Sequence, residues 1–89
     1  MQNKQRQTLR TYFGYTIIKS VVISSKEEMV LGVKSLNGQT RFKTWKVRNG
    51  VYRLGKSFVT EEEALQDFER RVEEWKNDKR ALALLWAVW

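Results

Sequence analysis

Thr40-Arg-Phe-Lys-Thr-Trp-Lys-Val-Arg-Asn-Gly-Val-Tyr-Arg-Leu-Gly-Lys-Ser-Phe-Val-Thr60 is the stretch that decides the fold. Asn49-Gly50 sits between two runs rich in β-branched and aromatic residues. A two-residue type I′ turn needs φ > 0 at both positions, and Asn-Gly meets that need at the lowest steric cost. The stretch therefore reads as two antiparallel strands, 40–47 and 51–59. Upstream, Asn37-Gly38 repeats the signal and adds a strand over 29–36. Residues 11–25 hold Tyr12, Phe13, Tyr15, Ile17, Ile18, Val21, Val22 and Ile23. They read as one long, bent strand with Gly14 as a bulge, ended by a polar turn at 24–28.

Downstream, Thr60-Glu-Glu-Glu63 has capping-box spacing, and three acids suit the positive end of a helix. Leu65, Phe68, Val72 and Trp75 then fall on one helical stripe. The helix has one weak point, Asn77-Asp78, where it either continues or restarts. The expected architecture is α+β: an antiparallel meander of three to four strands, with a long C-terminal helix packed on one face. Residues 1–8 read as a flexible basic arm and 9–89 as a single domain.

The chain has 89 residues, of which 17 are Lys or Arg and 10 are Asp or Glu, for a net charge of +7. It contains neither His nor Cys, which removes disulfides, Cys/His metal sites, thiol nucleophiles and imidazole acid–base chemistry. The carboxylates form no recognisable metal set, and no phosphate-cradling glycine loop is present. The expectation is a protein that is not an enzyme and takes no cofactor or metal. No run of residues is apolar for the length of a membrane span, and no secretory signal begins the chain, so a cytoplasmic location is expected.

Charge is unevenly spread. Residues 1–60 sum to +10 and residues 61–89 to −3. Between residues 29 and 60 there are seven cations and no acid. A two-residue turn at Asn49-Gly50 puts Lys46 opposite Arg53 and Lys43 opposite Lys56, and like charges facing each other on a sheet are destabilising. An anionic partner would relieve that repulsion. Lys46, Arg53, Arg48 and Thr44 share one face in this register. Trp45, Leu54, Val47 and Tyr52 share the other, which is read as the face the helix covers. Trp45 and Tyr52 read as core. The nominated nucleic-acid contacts are Arg41, Lys43, Lys46, Arg48, Arg53 and Lys56. The plainer account of the same cations is a solvated surface that keeps the protein soluble.

Residues 45–68 also resemble AP2-type and integrase arm-type DNA-binding domains. The matching pieces are Trp45, Arg53-Leu54-Gly55, Ser57-Phe58 and Thr60-x-Glu62-Glu63-Ala64. That resemblance implies a sheet laid into the major groove with the helix behind it. It also implies DNA contacts at Arg41, Lys43, Lys46, Arg48 and Arg53.

The last nine residues, 81–89, are all apolar. A helix without a polar face needs burial all round. Leu82, Leu85, Trp86 and Trp89 are therefore nominated as a partner-binding surface that makes the protein a homo-oligomer. The leading expectation is a small nucleic-acid-binding module, most simply for DNA, acting as a regulator or accessory factor. The alternative is an interaction or inhibitory factor that meets an acidic protein surface and homodimerises through its Trp-rich end.

Overall fold

A computed structural model describes residues 10–88, with side chains through Leu82. Five strands and one helix follow in chain order: β1 (Thr11–Tyr12), β2 (Tyr15–Ser24), β3 (Glu27–Leu36), β4 (Gln39–Arg48), β5 (Val51–Phe58) and α1 (Glu61–Val88). The strands form one antiparallel sheet in sequence order, as a meander should. Both Asn-Gly turns form as the sequence dictates. Asn37 and Gly38 have φ of 54° and 77°, Asn49 and Gly50 of 51° and 79°. Leu36 pairs with Gln39 and Arg48 with Val51 across them.

The strand expected over 11–25 is two strands. Phe13-Gly14 is a third two-residue turn of this positive-φ kind, with φ of 49° and 82°, so Gly14 belongs to a hairpin and not to a bulge. The sheet accordingly has five strands instead of three to four. Phe is an unusual occupant of a left-handed turn position, which is why the residues concealed it. The polar turn expected over 24–28 is also shorter. Glu27 and Glu28 open β3, and the Lys26 carbonyl accepts the Asn49 N–H at 2.8 Å, tying this end of β2–β3 to the turn between β4 and β5.

Helix α1 begins where the capping box places it. The Glu63 N–H donates to Thr60 Oγ1 at 3.3 Å, and the Thr60 hydroxyl donates to Glu63 Oε1 at 3.1 Å. It runs unbroken through Asn77-Asp78 for 28 residues, or ~42 Å at 1.5 Å per residue. The apolar stripe packs as expected: Ala64 and Phe68 join Met29, Leu31 and Phe42 in a core that Leu65, Val72 and Trp75 border.

The face that receives this helix is the opposite of the one the sequence reading chose. On β4 the helix covers Phe42, Thr44 and Lys46, while Trp45 and Val47 point away into a second core with Val30. Both sides of the sheet are apolar at their centres, so an apolar face could not identify the helix side. Among the described residues no helix lies over the second core. Instead the sheet curls into a half-barrel until its two ends meet, with Tyr12 of β1 stacked on Tyr52 of β5 at 3.9 Å and 5°. Trp45 stands edge-on to Tyr12, Tyr15 and Tyr52, with ring centroids 5.3–5.6 Å away. That geometry suits the ring quadrupoles.

The expected register holds from Arg48–Val51 to Lys46–Arg53 and then slips. Leu54 and Gly55 together oppose Trp45, forming a bulge, and Leu54 takes φ of 53°. Lys43 therefore faces Ser57, and Lys56 faces Thr44. Gly55 is needed there because a Cβ would lie 2.7 Å from both Trp45 Nε1 and Lys43 Cε.

Candidate nucleic-acid interface

The crevice between β5 and α1 gathers half of the nominated cations. Lys46, Arg48 and Arg53 come together with Lys79 of the helix around Trp75, with the exposed Leu54 and Leu82 at the rim and the carboxylates Glu27 and Asp78 in the lining. The hollow they bound has a cavity volume of about 350 Å³. Register produces this grouping. Lys46 and Arg53 are direct cross-strand partners, and the bulge that follows leaves Leu54 beside them at the lip. Lys46 Nζ rests 5.0 Å from the centroid of the Trp75 ring, a contact that holds a cation without neutralising it.

Of the two acids in the lining, Glu27 is already occupied, whereas Asp78 carries no ion pair among the described residues. Glu27, only 6% exposed, accepts from Lys79 at 2.6 Å, from the Ser24 hydroxyl at 2.7 Å and from Arg48 Nε at 3.1 Å. Lys79 first, then Ser24, hold its carboxyl below the usual range against the opposing effect of burial. Among the described residues no carboxylate bridges Lys46 or Arg53.

Farther along the crevice, toward the start of α1, lies a second hollow of about 590 Å³. Arg41, Lys56 and Arg70 line it with Phe58, Glu63 and Asp67. Asp67 is buried and bonded on every side. It accepts from the Thr44 hydroxyl at 2.9 Å, from Arg70 at 2.8 Å and from Arg71 at 3.3 Å, with Lys56 Nζ at 3.9 Å. Burial opposes its ionisation, yet Thr44, Arg71 and Arg70 outweigh that and leave the carboxyl below its ordinary range. Between the two hollows, Arg71 donates to the Leu54 carbonyl at 2.6 Å and to the Thr44 hydroxyl at 2.8 Å, fastening the bulge to the helix.

The six nominated residues thus do not form one face. Lys46, Arg48 and Arg53 share the first hollow, and Arg41 and Lys56 share the second. Lys43 lies on the side away from the helix, with Nζ 5.5 Å from the centroid of Trp45. Arg48 and Lys56 carry ion pairs within the chain, whereas no carboxylate bridges Arg41, Lys43, Lys46 or Arg53 among the described residues. Sequence reasoning missed Lys79, Arg70 and the role of Trp75. Lys79 stands four residues after Trp75 and therefore shares its side of the helix, a spacing that was legible once the stripe was placed against β4 and β5.

Of the nominated partner surface, Leu82 is 53% exposed at the rim of the first hollow. The backbone is helical through Leu85 and Trp86. The side chains of Leu85 and Trp86, the whole of Trp89 and the basic arm 1–8 lie outside the described residues. No helix among the described residues is long and apolar enough to cross a membrane.

Comparison with family models, with curated proteins and with solved structures finds no match to this chain.

Proposed function

We propose that this chain is a non-enzymatic nucleic-acid-binding module whose crevice between β5 and α1 follows a phosphate backbone. The observation that carries the reading is the Lys46–Arg53 pair. Two like charges face each other across strands, over a tryptophan, with no carboxylate bridged to either among the described residues. Such a pair costs stability in the free protein, and a phosphate placed between the two heads removes the repulsion. Arg41, which no carboxylate bridges among the described residues, continues the cationic line toward the start of α1 beside Lys56 and Arg70, both paired with Asp67, and an extended line suits a polymeric anion better than a single small one. Phosphate contacts are sequence-independent and release counterions, so affinity falls steeply with salt.

The test is a titration of labelled duplex and single-stranded DNA with the full chain at several salt concentrations. Lys46→Glu combined with Arg53→Glu abolishes binding, while the milder Lys46→Gln with Arg53→Gln makes the log–log salt slope shallower by about two. Far-UV circular dichroism accompanies both to show that the fold is kept. Wild-type protein that binds neither nucleic acid at low salt overturns the proposal. A protein-interaction role is the second reading, favoured by Leu82, exposed on a helix that continues past Lys79, its last described residue bonded to the sheet. Analytical ultracentrifugation of the same samples decides it: a dimer that Leu82→Glu dissociates supports association through this end, and a monomer removes it.

A further inference from the structure

Three of the four hairpin turns of this sheet have two residues at positive φ, and their angles agree within about 5° from turn to turn; the fourth, Ser25-Lys26, has none. Two of the turns place Asn before Gly. The third, between β1 and β2, places Phe13 there. A bulky side chain in the left-handed region is an outlier that Asn would relieve. Phe13 is also 79% exposed, the most exposed large apolar residue described. It is therefore unfavourable for the backbone and leaves an aromatic ring in water. Its aromatic contact among the described residues is partial, a 38° tilt against Tyr12 at 4.6 Å. The bond that Lys34 Nζ makes to the turn, at 3.2 Å, goes to the Phe13 carbonyl and would survive any side chain at this position.

The surroundings point to an occupant. Tyr12 stacks on Tyr52, so Phe13 is the outer ring of an aromatic column with its far side open. Lys34, against the turn, is the cross-strand partner of Arg41. This is a second like-charged pair, and no carboxylate bridges either member among the described residues. Arg41 in turn lines the crevice with Lys56 and Arg70. From β1 to β4 is three strand spacings, or ~15 Å, so cations lead from the crevice to the exposed ring.

We propose that Phe13 is a stacking platform for one unpaired base of a single-stranded nucleic acid, with Lys34 and Arg41 holding the adjoining phosphates. This inference rests on the nucleic-acid reading above and sharpens it: the crevice takes phosphate from duplex or single strand alike, while Phe13 adds affinity only where a base is free to leave its stack. Stacking of a base on an exposed aromatic is sequence-tolerant because every base has a π-face.

The decisive variant is Phe13→Asn, which introduces the turn residue used at the other two positive-φ hairpins. It is expected to raise the melting temperature by about 4–8 °C, which guards against reading misfolding as lost binding. Wild type and variant are titrated with a labelled oligothymidine and with a blunt duplex of equal length. A single strand containing 2-aminopurine reports stacking by its fluorescence. The expected result is a loss of about tenfold in single-strand affinity, disappearance of the 2-aminopurine quench, and duplex affinity unchanged. If wild type binds both nucleic acids and Phe13→Asn binds the single strand equally well, the platform is refuted and the crevice reading stands. An equal loss on duplex and single strand refutes selectivity for the free base. If wild type binds neither, both proposals fall together, and an exposed Phe13 then answers to a protein partner.

Discussion

The two sides of the sheet are closed by different means. On the helix side, an apolar centre of Met29, Leu31, Phe42, Ala64 and Phe68 is flanked by two buried carboxylates. Asp67 of the helix reaches Thr44 of the sheet, and Lys79 of the helix reaches Glu27 of the sheet. These two clamps, one a hydrogen bond to a carboxylate and one an ion pair, stand twelve residues apart, ~18 Å along α1, and fix the helix at two points. On the other side no element among the described residues covers the sheet. Curling brings Tyr12 onto Tyr52, and the gain comes from rings packed around Trp45. Among the described residues one ion pair, Arg10 with Glu28, spans that side, with Arg10 also donating to the Tyr52 hydroxyl at 2.8 Å. A domain of this size thus obtains two small cores from one sheet, one locked by charge and one by aromatic shape.

The largest expected effect tests whether the helix-side centre carries the fold. Phe68 is 1% exposed, and Phe68→Ala is expected to destabilise by about 3–5 kcal/mol. That is a large fraction of what such a small domain commands. Tyr52→Ala, on the aromatic side, removes a half-buried ring and the Arg10 hydrogen bond and is expected to cost about 1–3 kcal/mol. Urea denaturation of both variants gives the ratio. Equal losses would show that the uncovered side contributes as much as the helix-covered one.

Acid separates the two sides next. Lys79 holds the Glu27 carboxyl low, Arg10 does so for Glu28, and for Asp67 the bonds from Thr44 and Arg71 outweigh burial. A carboxylate whose pKa is depressed by folding contributes stability that is complete above its unfolded pKa of about 4. That contribution is lost as pH falls through the lower folded-state value. Stability is therefore expected to decline below about pH 4. Asp67→Asn at neutral pH leaves Arg71 with a poorer partner and is expected to cost about 1–3 kcal/mol. It should also flatten the acid decline more than Glu28→Gln does, because Glu28 is the more solvated of the two. Urea midpoints measured across the acid range check both statements. A steeper contribution from Glu28 would move the pH-sensitive lock to the aromatic side.

The same contrast explains how much of the molecule the residues revealed. Turns chosen by backbone sterics were legible: Asn37-Gly38 and Asn49-Gly50 set three strands and the start of their pairing, and the Thr60 capping box set the helix. Phe13-Gly14 was hidden because its first residue is the wrong one for the turn it makes. The helix face was misassigned because Phe42 and Thr44 look no more like core than Trp45 and Val47, and alternation cannot choose between two buried sides. The cationic site was half legible. Lys46 opposite Arg53 follows from turn arithmetic alone, since no irregularity intervenes. Lys43 opposite Lys56 fails because the bulge at Leu54-Gly55 inserts a residue opposite Trp45, a cross-strand irregularity that no local pattern encodes. Lys79 and Arg70 enter only through the docking of the helix.

That bulge offers the finest division between the two sides. Gly55 lies against the Trp45 ring, whose Nε1 and Cδ1 would sit 2.7 Å and 2.9 Å from an added Cβ. The indole is 4% exposed and wedged among three tyrosines, so it cannot yield as a lysine tail can. Gly55→Ala is therefore expected to cost about 1–2 kcal/mol through overpacking. The signature should be local. Trp45 shifts, so near-UV circular dichroism changes, while far-UV signal from α1 stays the same because the helix touches the opposite side of β4. Arg71 still reaches the Leu54 carbonyl, which keeps the crevice and its cations in place, and nucleic-acid affinity should change less than stability does. A loss of helical signal in this variant would mean that the two cores are one cooperative unit and that the division between charge-locked and shape-locked sides has no energetic reality.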